Sequence, residues 1–369
     1  KSSHFGCWVF SQGVTSLFAM IPRRLFALAL AAASLTVTGA APVSVPAMAQ
    51  VGASDGIPFD AYLELLKARA RGEGVSETTI DRMTAGLTPN PRVIALDQNQ
   101  PGSATARGYP PMSGYIASHV DAARIGGGRA VYAQHRDLLA RIEAEYGVPG
   151  PIIVAIFGHE TSYGRVKGEF DLARSLATLA WEGRRRELFA GEFVALMKIA
   201  DKGYDRSQLI GSYAGAFGNP QFLPSVYLRL ATDGDGDGRA DIFTNRADTF
   251  ASIANYFRDA GWRPGQPWGV RASVPAGFDL AAYRTRLTAP QCPRVYERMS
   301  RWMTVAEWRA LGVIDQRGLP DETMVSLFQP DGPGAPAWLL TGNYRAILEY
   351  NCSSYYAMSV GLLADEIVN

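Results

Sequence analysis

Residues 151–160 (PIIVAIFGHE) read as a helix that enters on a proline, is apolar on nearly every side and ends by delivering one carboxylate, Glu160. Burial next to Ile156 and Phe157 disfavours the ionised form and raises its pKa, as a general acid working near neutral pH requires. An isolated glutamate at such an address is more often a paired structural residue, so its context has to decide. Gly158 and Gly164, with Thr161 and Ser162 between them, would leave room for a polymer to approach. Downstream, residues 211–225 (GSYAGAFGNPQFLPS) combine close-approach glycines with amide, hydroxyl and aromatic groups. That mixture suits a sugar, whose faces stack on rings and whose hydroxyl and N-acetyl groups need neutral donors and acceptors. A glycine-rich packing turn is the competing reading.

Other chemistries fail on spacing. His159-Glu160 starts like a zinc-peptidase helix, but Tyr163 stands where the second histidine is needed. His4, His119, His135 and His159 form no ligand pair at metal spacing, and no G-x-S-x-G elbow supports a serine nucleophile. Gly126-Gly127-Gly128 reads as a loop rather than a phosphate cradle. The second chemical signal is residues 233–241 (DGDGDGRAD). Asp233, Asp235 and Asp237 at positions 1, 3 and 5, Gly238 at position 6 and the Arg239 carbonyl at position 7 are the pattern of an oxygen-ligand calcium loop. Thr244 occupies position 12 in place of the bidentate glutamate, and a solvated acidic turn competes.

These residues need elements to hold them. Helical spacing is expected over residues 59–71, 76–83, 114–125, 129–146, 151–159, 175–181 and 185–200, and again over 343–366. Residues 87–111, rich in Pro, Asn and Gln, read as an extended crossing. Few stretches alternate with period two, so the fold class is mainly α (α+β). The best strand material begins at Trp268, which places a small β-containing subdomain over 268–330. The remaining division is a helical core over 50–267 and a C-terminal helical segment over 331–369. With 369 residues there is ample material for a core, and 36 basic against 35 acidic residues give no argument for nucleic acid as partner.

Residues 1–49 stand apart. Met20 opens a segment with Arg23-Arg24, an Ala/Leu-rich apolar run and Ala47-Met48-Ala49 before Gln50, the layout of a secretory signal cleaved near Ala49-Gln50. Residues 1–19 read as an upstream extension, and a permanent membrane anchor is the alternative for the apolar run. Export to an oxidising periplasm would remove Cys7 and leave Cys292 and Cys352, either as a disulfide or as two buried thiols. Losing Lys1, Arg23 and Arg24 leaves the exported chain close to neutral.

Five blocks in order, GHETSYGR, RRRELF, GSYAGAFGNPQFLPS, IANYFRDAGW and YNCSSYYAM, resemble the B-type lytic murein transglycosylases, glycoside hydrolase family 103. The resemblance runs from about residue 57 to the C-terminus. It implies a lysozyme-like helical catalytic core in which Glu160 is the single catalytic acid and base. It implies cleavage of the bond between N-acetylmuramic acid and N-acetylglucosamine with closure of a 1,6-anhydro ring, without the second carboxylate of ordinary glycosidases. The substrate-binding positions it implies are Ser212, Gln221, Tyr256, Tyr350, Asn351 and Tyr356, with Tyr115 and Arg185 in less similar surroundings. It also implies an EF-hand-like calcium loop closed by a later aspartate, the place nearly occupied by Asp248. No organic cofactor is implied. The expected partners are peptidoglycan glycan strands and cell-wall enzyme complexes, met by a monomer. Two other functions share these residues: a lysozyme-like muramidase using water with help from Glu169, Asp171 or Glu182, and a non-catalytic peptidoglycan-binding protein.

Overall fold

The computed structural model describes residues 56–99, 109–289 and 294–369; the expected leader and its cleavage site, and Cys292, lie outside the described residues. The chain begins with α1 (Phe59–Gly72), α2 (Glu77–Thr84), α3 (Pro91–Gln98), α4 (Met112–His119), α5 (Ala122–Gln134) and α6 (Arg136–Tyr146). Then come α7 (Gly150–Thr161), β1 (Phe170–Asp171), α8 (Leu172–Glu182), α9 (Arg186–Asp201), β2 (Ile210–Gly211), α10 (Pro224–Leu230) and α11 (Arg246–Asp259). A mixed stretch follows, with β3 (Gly269–Ser273), β4 (Met303–Thr304), α12 (Val305–Ala310), β5 (Ile314–Asp315), β6 (Met324–Phe328) and β7 (Ala337–Leu340). The chain closes with α13 (Gly342–Tyr350) and α14 (Ser354–Val368).

Most starts are set by local chemistry. Ser76 caps α2 by accepting the Thr79 N–H, and Thr304 with Glu307 forms a capping box on α12. Residues 87–111 are not one extended crossing, because Asn90 accepts the N–H groups of Arg92 and Val93, Pro91 supplies the first helical position, and Val93 and Ile94 bury as α3. The expected helix over 114–125 breaks at Asp121, whose carboxylate accepts the Arg124 N–H and starts α5. The glycine run 126–128 is no loop; it lies inside α5.

Helix α7 is the central element. Ile153, Val154, Ala155, Ile156 and Phe157 are all fully buried, and the helix packs against α5, α6, α11 and α14. At about 25 cal/mol per Å² of apolar surface, five such residues in a row anchor the helix that carries Glu160. The strands of the C-terminal half pair antiparallel in the order β4-β6-β7-β3-β5. They enclose a separate small core around Val270, Trp308, Val325 and Leu339. Strand β7 lies past residue 330, so the sheet extends beyond the expected 268–330 span and the helical return starts at α13.

The glycines around α7 serve the protein's own packing. A Cβ on Gly158 would lie 2.6 Å from the Tyr163 ring, and Cβ atoms on Gly127 and Gly128 would also collide with that residue. A Cβ on Gly164 would meet the Arg246 guanidinium at 2.7 Å. The space expected for a polymer at Gly158 and Gly164 is therefore filled from within. The Tyr163 hydroxyl donates to the Arg124 carbonyl at 2.6 Å, so the ring cannot swing aside freely. Gly158→Ala is expected to destabilise the fold by about 1–3 kcal/mol, read as a lower urea midpoint with an unchanged slope.

Candidate active site

Helix α7 is stopped abruptly just beyond Glu160. Ser162, Tyr163 and Gly164 take φ angles of 49°, 63° and 83° in succession, and the first two are left-handed despite carrying side chains. Such residues cost about 1 kcal/mol or more each and persist only where packing dictates them. Here the Thr161 hydroxyl accepts the Gly164 N–H at 3.0 Å and the Tyr163 ring is held against three glycines.

The Glu160 side chain is enclosed by protein on most sides and keeps a partial opening to solvent. Its Oε1 accepts the Tyr356 hydroxyl at 2.5 Å, joining α7 to α14. Burial pushes the carboxyl up to about 7, and the Tyr356 hydrogen bond pulls in the opposite direction. Among the described residues, no charged group is a cause of that shift. The outcome is a carboxyl that holds its proton near neutrality and has one donor to steady the anion after the proton leaves.

A row of rings leads away from it. The Tyr356 ring lies 5.6 Å from His159, His159 lies 6.3 Å from His119, and His119 stacks on Tyr115 at 3.7 Å and 8°. Burial drives His159 down to about 3, with the Arg124 charge acting in the same sense, so the histidine next to Glu160 is neutral. Tyr115 is pushed up to about 12 by burial and by the nearby Glu160 charge. The charge of Glu160 thus reaches Tyr115, despite the tyrosine's weaker sequence surroundings.

The other expected binding residues divide. Tyr256 and Tyr350 are buried with ring centroids 4.6 Å apart. Their hydroxyls donate to the carbonyls of Glu349 and Pro220, both at 2.6 Å, so they support the site from inside its wall. Gln221 sits at φ 53° beside that Pro220 carbonyl, its amide donating to the Gly218 carbonyl at 2.8 Å. The Ser212 hydroxyl accepts the Ala216 N–H at 2.9 Å. Asn351 is buried at the end of α13, and the neighbouring Cys352 is disulfide-bonded. Arg185 does not reach toward Glu160 through any contact: it pairs, together with Arg184, with the buried carboxylate of Asp97 and lies over the Phe189 ring. Arg124, His119 and Tyr163 were not singled out in the sequence as site residues.

The carboxylates considered as helpers are engaged elsewhere. Glu169 pairs with Arg92 at 2.6 Å, Asp171 caps α8 and pairs with Arg206, and Glu182 bonds the Arg184 N–H. Buried Glu192 accepts both the hydroxyl and the N–H of Ser225.

In the acidic loop, Asp233 accepts the N–H groups of Gly236, Asp237 and Gly238, and Gly238 takes the left-handed φ of 91° that a turn at position 6 demands. Carboxylate oxygens of Asp233, Asp235 and Asp248 come within 4.8 Å of one another. Asp248 is fully buried, and the two neighbouring carboxylates help to raise its pKa. A cluster of like charges with one buried member is the donor set that suits a hard cation. Asp237 is not among the three; it accepts the Arg239 N–H. Thr244 turns its hydroxyl onto Asp241, leaving the closing place to Asp248.

The sequence profile of the transglycosylase SLT domain matches residues 58–365. The chain belongs to the SLT transglycosylase family, among its B-type lytic members. Membrane-bound lytic murein transglycosylase B of Escherichia coli K12 is 34% identical over 243 residues, which are 65% of this chain and 63% of that relative. SltB3 from Pseudomonas aeruginosa, solved in complex with NAG-anhNAM-pentapeptide, superposes with a TM-score of 0.76 at 38% identity, covering 85% of this chain and 80% of that one. The Escherichia coli lytic transglycosylase Slt35 in complex with calcium gives 0.70 at 28% identity, covering 83% and 92%. The SLT family fold is lysozyme-like and mostly helical, as in this chain. In this SLT domain the hydrogen bond from α14 opposes the effect of burial on Glu160. Tyr356→Phe removes the one interaction that favours the Glu160 anion, so the alkaline limb of the pH–rate profile is expected to move upward by about half a pH unit or more, measured as kcat/KM on soluble glycan.

Proposed function

We propose that this chain is an exported peptidoglycan lytic transglycosylase that cuts the β-1,4 bond between N-acetylmuramic acid and N-acetylglucosamine. The observation that carries this reading is Glu160: one buried carboxyl, raised to about 7, bonded to Tyr356 and without a carboxylate partner. Its proton passes to the glycosidic oxygen as the bond to the muramoyl C1 breaks. The developing charge at C1 is shared with the N-acetyl carbonyl. The C6 hydroxyl of the same sugar then closes on C1, returning its proton to Glu160, so a 1,6-anhydro end forms and no water is consumed. Tyr356 steadies the carboxylate between the two transfers. The neutral His159 and Tyr115 add no charge that would ionise the acid early.

A water-using muramidase is less well supported, since Glu169, Asp171 and Glu182 are each held in other contacts. Paired-carboxylate hydrolysis needs a second acid on the opposite face of the sugar. The related SltB3 was solved with NAG-anhNAM-pentapeptide, which supports a glycan substrate that carries a peptide. We place Ser212, Gln221, Tyr256, Tyr350 and Asn351 along the glycan path, the two buried tyrosines acting through the wall they brace.

The family's setting supports the periplasm, reached through the leader cleaved near Ala49-Gln50, with the enzyme acting as a monomer. Among the described residues no helix is long and apolar enough to cross a membrane. Asp233, Asp235 and Asp248 would hold a Ca²⁺ ion, with Asp237 and the Arg239 carbonyl nearby, and the ion would brace the loop against α11 without entering the reaction.

Three measurements test these readings. Digestion of purified sacculi, with mass analysis of the released ends, is expected to give anhydro-muramoyl products, and Glu160→Gln is expected to abolish release while the protein stays folded. The folded state binds the Glu160 proton more tightly than the unfolded chain, so a stability penalty grows as pH rises from about 4.5 to 7. The Gln variant should therefore be more stable than wild type at pH 8 by about 1–3 kcal/mol and equal to it near pH 4. Saturating Ca²⁺ is expected to raise the melting temperature by about 5 °C or more, an effect lost in Asp233→Ala; a wild type indifferent to both Ca²⁺ and chelator overturns the ion site.

A further inference from the structure

The wall near Glu160 carries a cation that has no counter-ion among the described residues. Arg124, in the first turn of α5, is half-buried. Its guanidinium donates to the Ser118 carbonyl at 3.3 Å, and among the described residues it forms no ion pair with a carboxylate. Its backbone is fixed at both ends of the residue: the N–H by Asp121 and the carbonyl by the Tyr163 hydroxyl. Arg165, exposed in the segment after Glu160, acts with Arg124 on the Tyr163 phenol and likewise forms no ion pair among the described residues. The other titratable groups at this wall are His119, His159, Tyr115, Tyr163, Tyr356, Glu160 and Asp121. The charge of Arg124 reaches Tyr115, His119 and His159, and Asp121, already engaged as the cap of α5, opposes it only at His119 and Tyr163. His159 Nε2 is buried with no hydrogen-bond partner.

A half-buried guanidinium whose one hydrogen bond goes to a backbone carbonyl keeps donors for an anion, and its planar fork matches a carboxylate. The geometry points to Arg124, assisted by Arg165, as a subsite for a carboxylate on the lactyl–peptide branch of the muramoyl residue. This inference rests on the glycan substrate proposed above. That branch leaves the same sugar ring whose C1–O bond Glu160 protonates, two carbons away, so an acid on it falls beside Glu160 rather than farther along the strand. The wall then selects strands by the charge of their branch, while Glu160 performs chemistry common to all of them.

The test uses the catalytically silent Glu160→Gln protein, so that binding is read without turnover, and three short glycan ligands. One carries stem peptides with free carboxylates, one is stripped of peptide and bears free lactyl carboxylates, and one is stripped with every lactyl carboxylate converted to the amide. At least one acidic ligand is expected to bind about tenfold more tightly than the amide. Adding Arg124→Gln should erase that difference and leave the amide's affinity unchanged, and Arg124→Lys should retain part of it. Loss confined to the peptide-bearing ligand assigns the stem carboxylate, and loss confined to the stripped acid assigns the lactyl one. Equal affinity for all three ligands, or an equal loss for acid and amide, overturns the subsite. Failure of all three to bind, with no anhydro product from wild type on sacculi, instead overturns the underlying function.

Discussion

Everything at this site depends on taking one carboxyl out of water without giving it a cation. Glu160 sits at the end of a helix whose preceding turn and a half is fully buried, and its defined partner is the neutral hydroxyl of Tyr356. Burial and the hydrogen bond act in opposite directions on the proton, and burial wins. An arginine in van der Waals contact would have reversed that balance and produced a permanent anion. Arg124 is near enough to affect His159 and Tyr115 but is not a cause of the Glu160 shift. The separation of these two charges by a row of neutral rings is what allows acid chemistry and a cationic wall to coexist.

Tyr163 links the acid to the scaffold. It is left-handed, as is Ser162 before it, and its ring occupies the space vacated by Gly127, Gly128 and Gly158. Its hydroxyl reaches back to α5. Backbone strain at the end of α7 is thus offset by packing that one aromatic side chain provides, and the direction in which Glu160 leaves the helix is fixed by the same contacts. Strain held next to a reacting group in this way is common at functional sites.

Much of this was legible from the chain alone. The apolar run of 151–160, the helical spacing of α1, α2, α8 and α9, and the ordered blocks led to the fold and to the family, and the same run foretold that burial would raise the Glu160 carboxyl, because periodicity and burial follow directly from side-chain type. Helix α3 was hidden, since Pro and Asn beside a short apolar pair look like a crossing until the Asn90 cap is seen to bond Arg92 and Val93. The glycines misled in a different way. A missing side chain signals that something comes close, and sequence does not say whether that is a ligand or another part of the same protein; at Gly158 and Gly164 it is Tyr163 and Arg246. That the Tyr256 and Tyr350 hydroxyls end on backbone carbonyls was not legible, since such a partner has no side-chain signature. Arg124 was overlooked because its meaning lies in the partner it lacks.

The bond between Tyr356 and Glu160 joins residues 196 positions apart. A chain still emerging from the ribosome carries the glutamate long before the tyrosine. Until α14 docks on α7, the carboxyl is hydrated, ionised and inert. Tying the carboxyl to so late a segment makes its retained proton a property of the finished molecule.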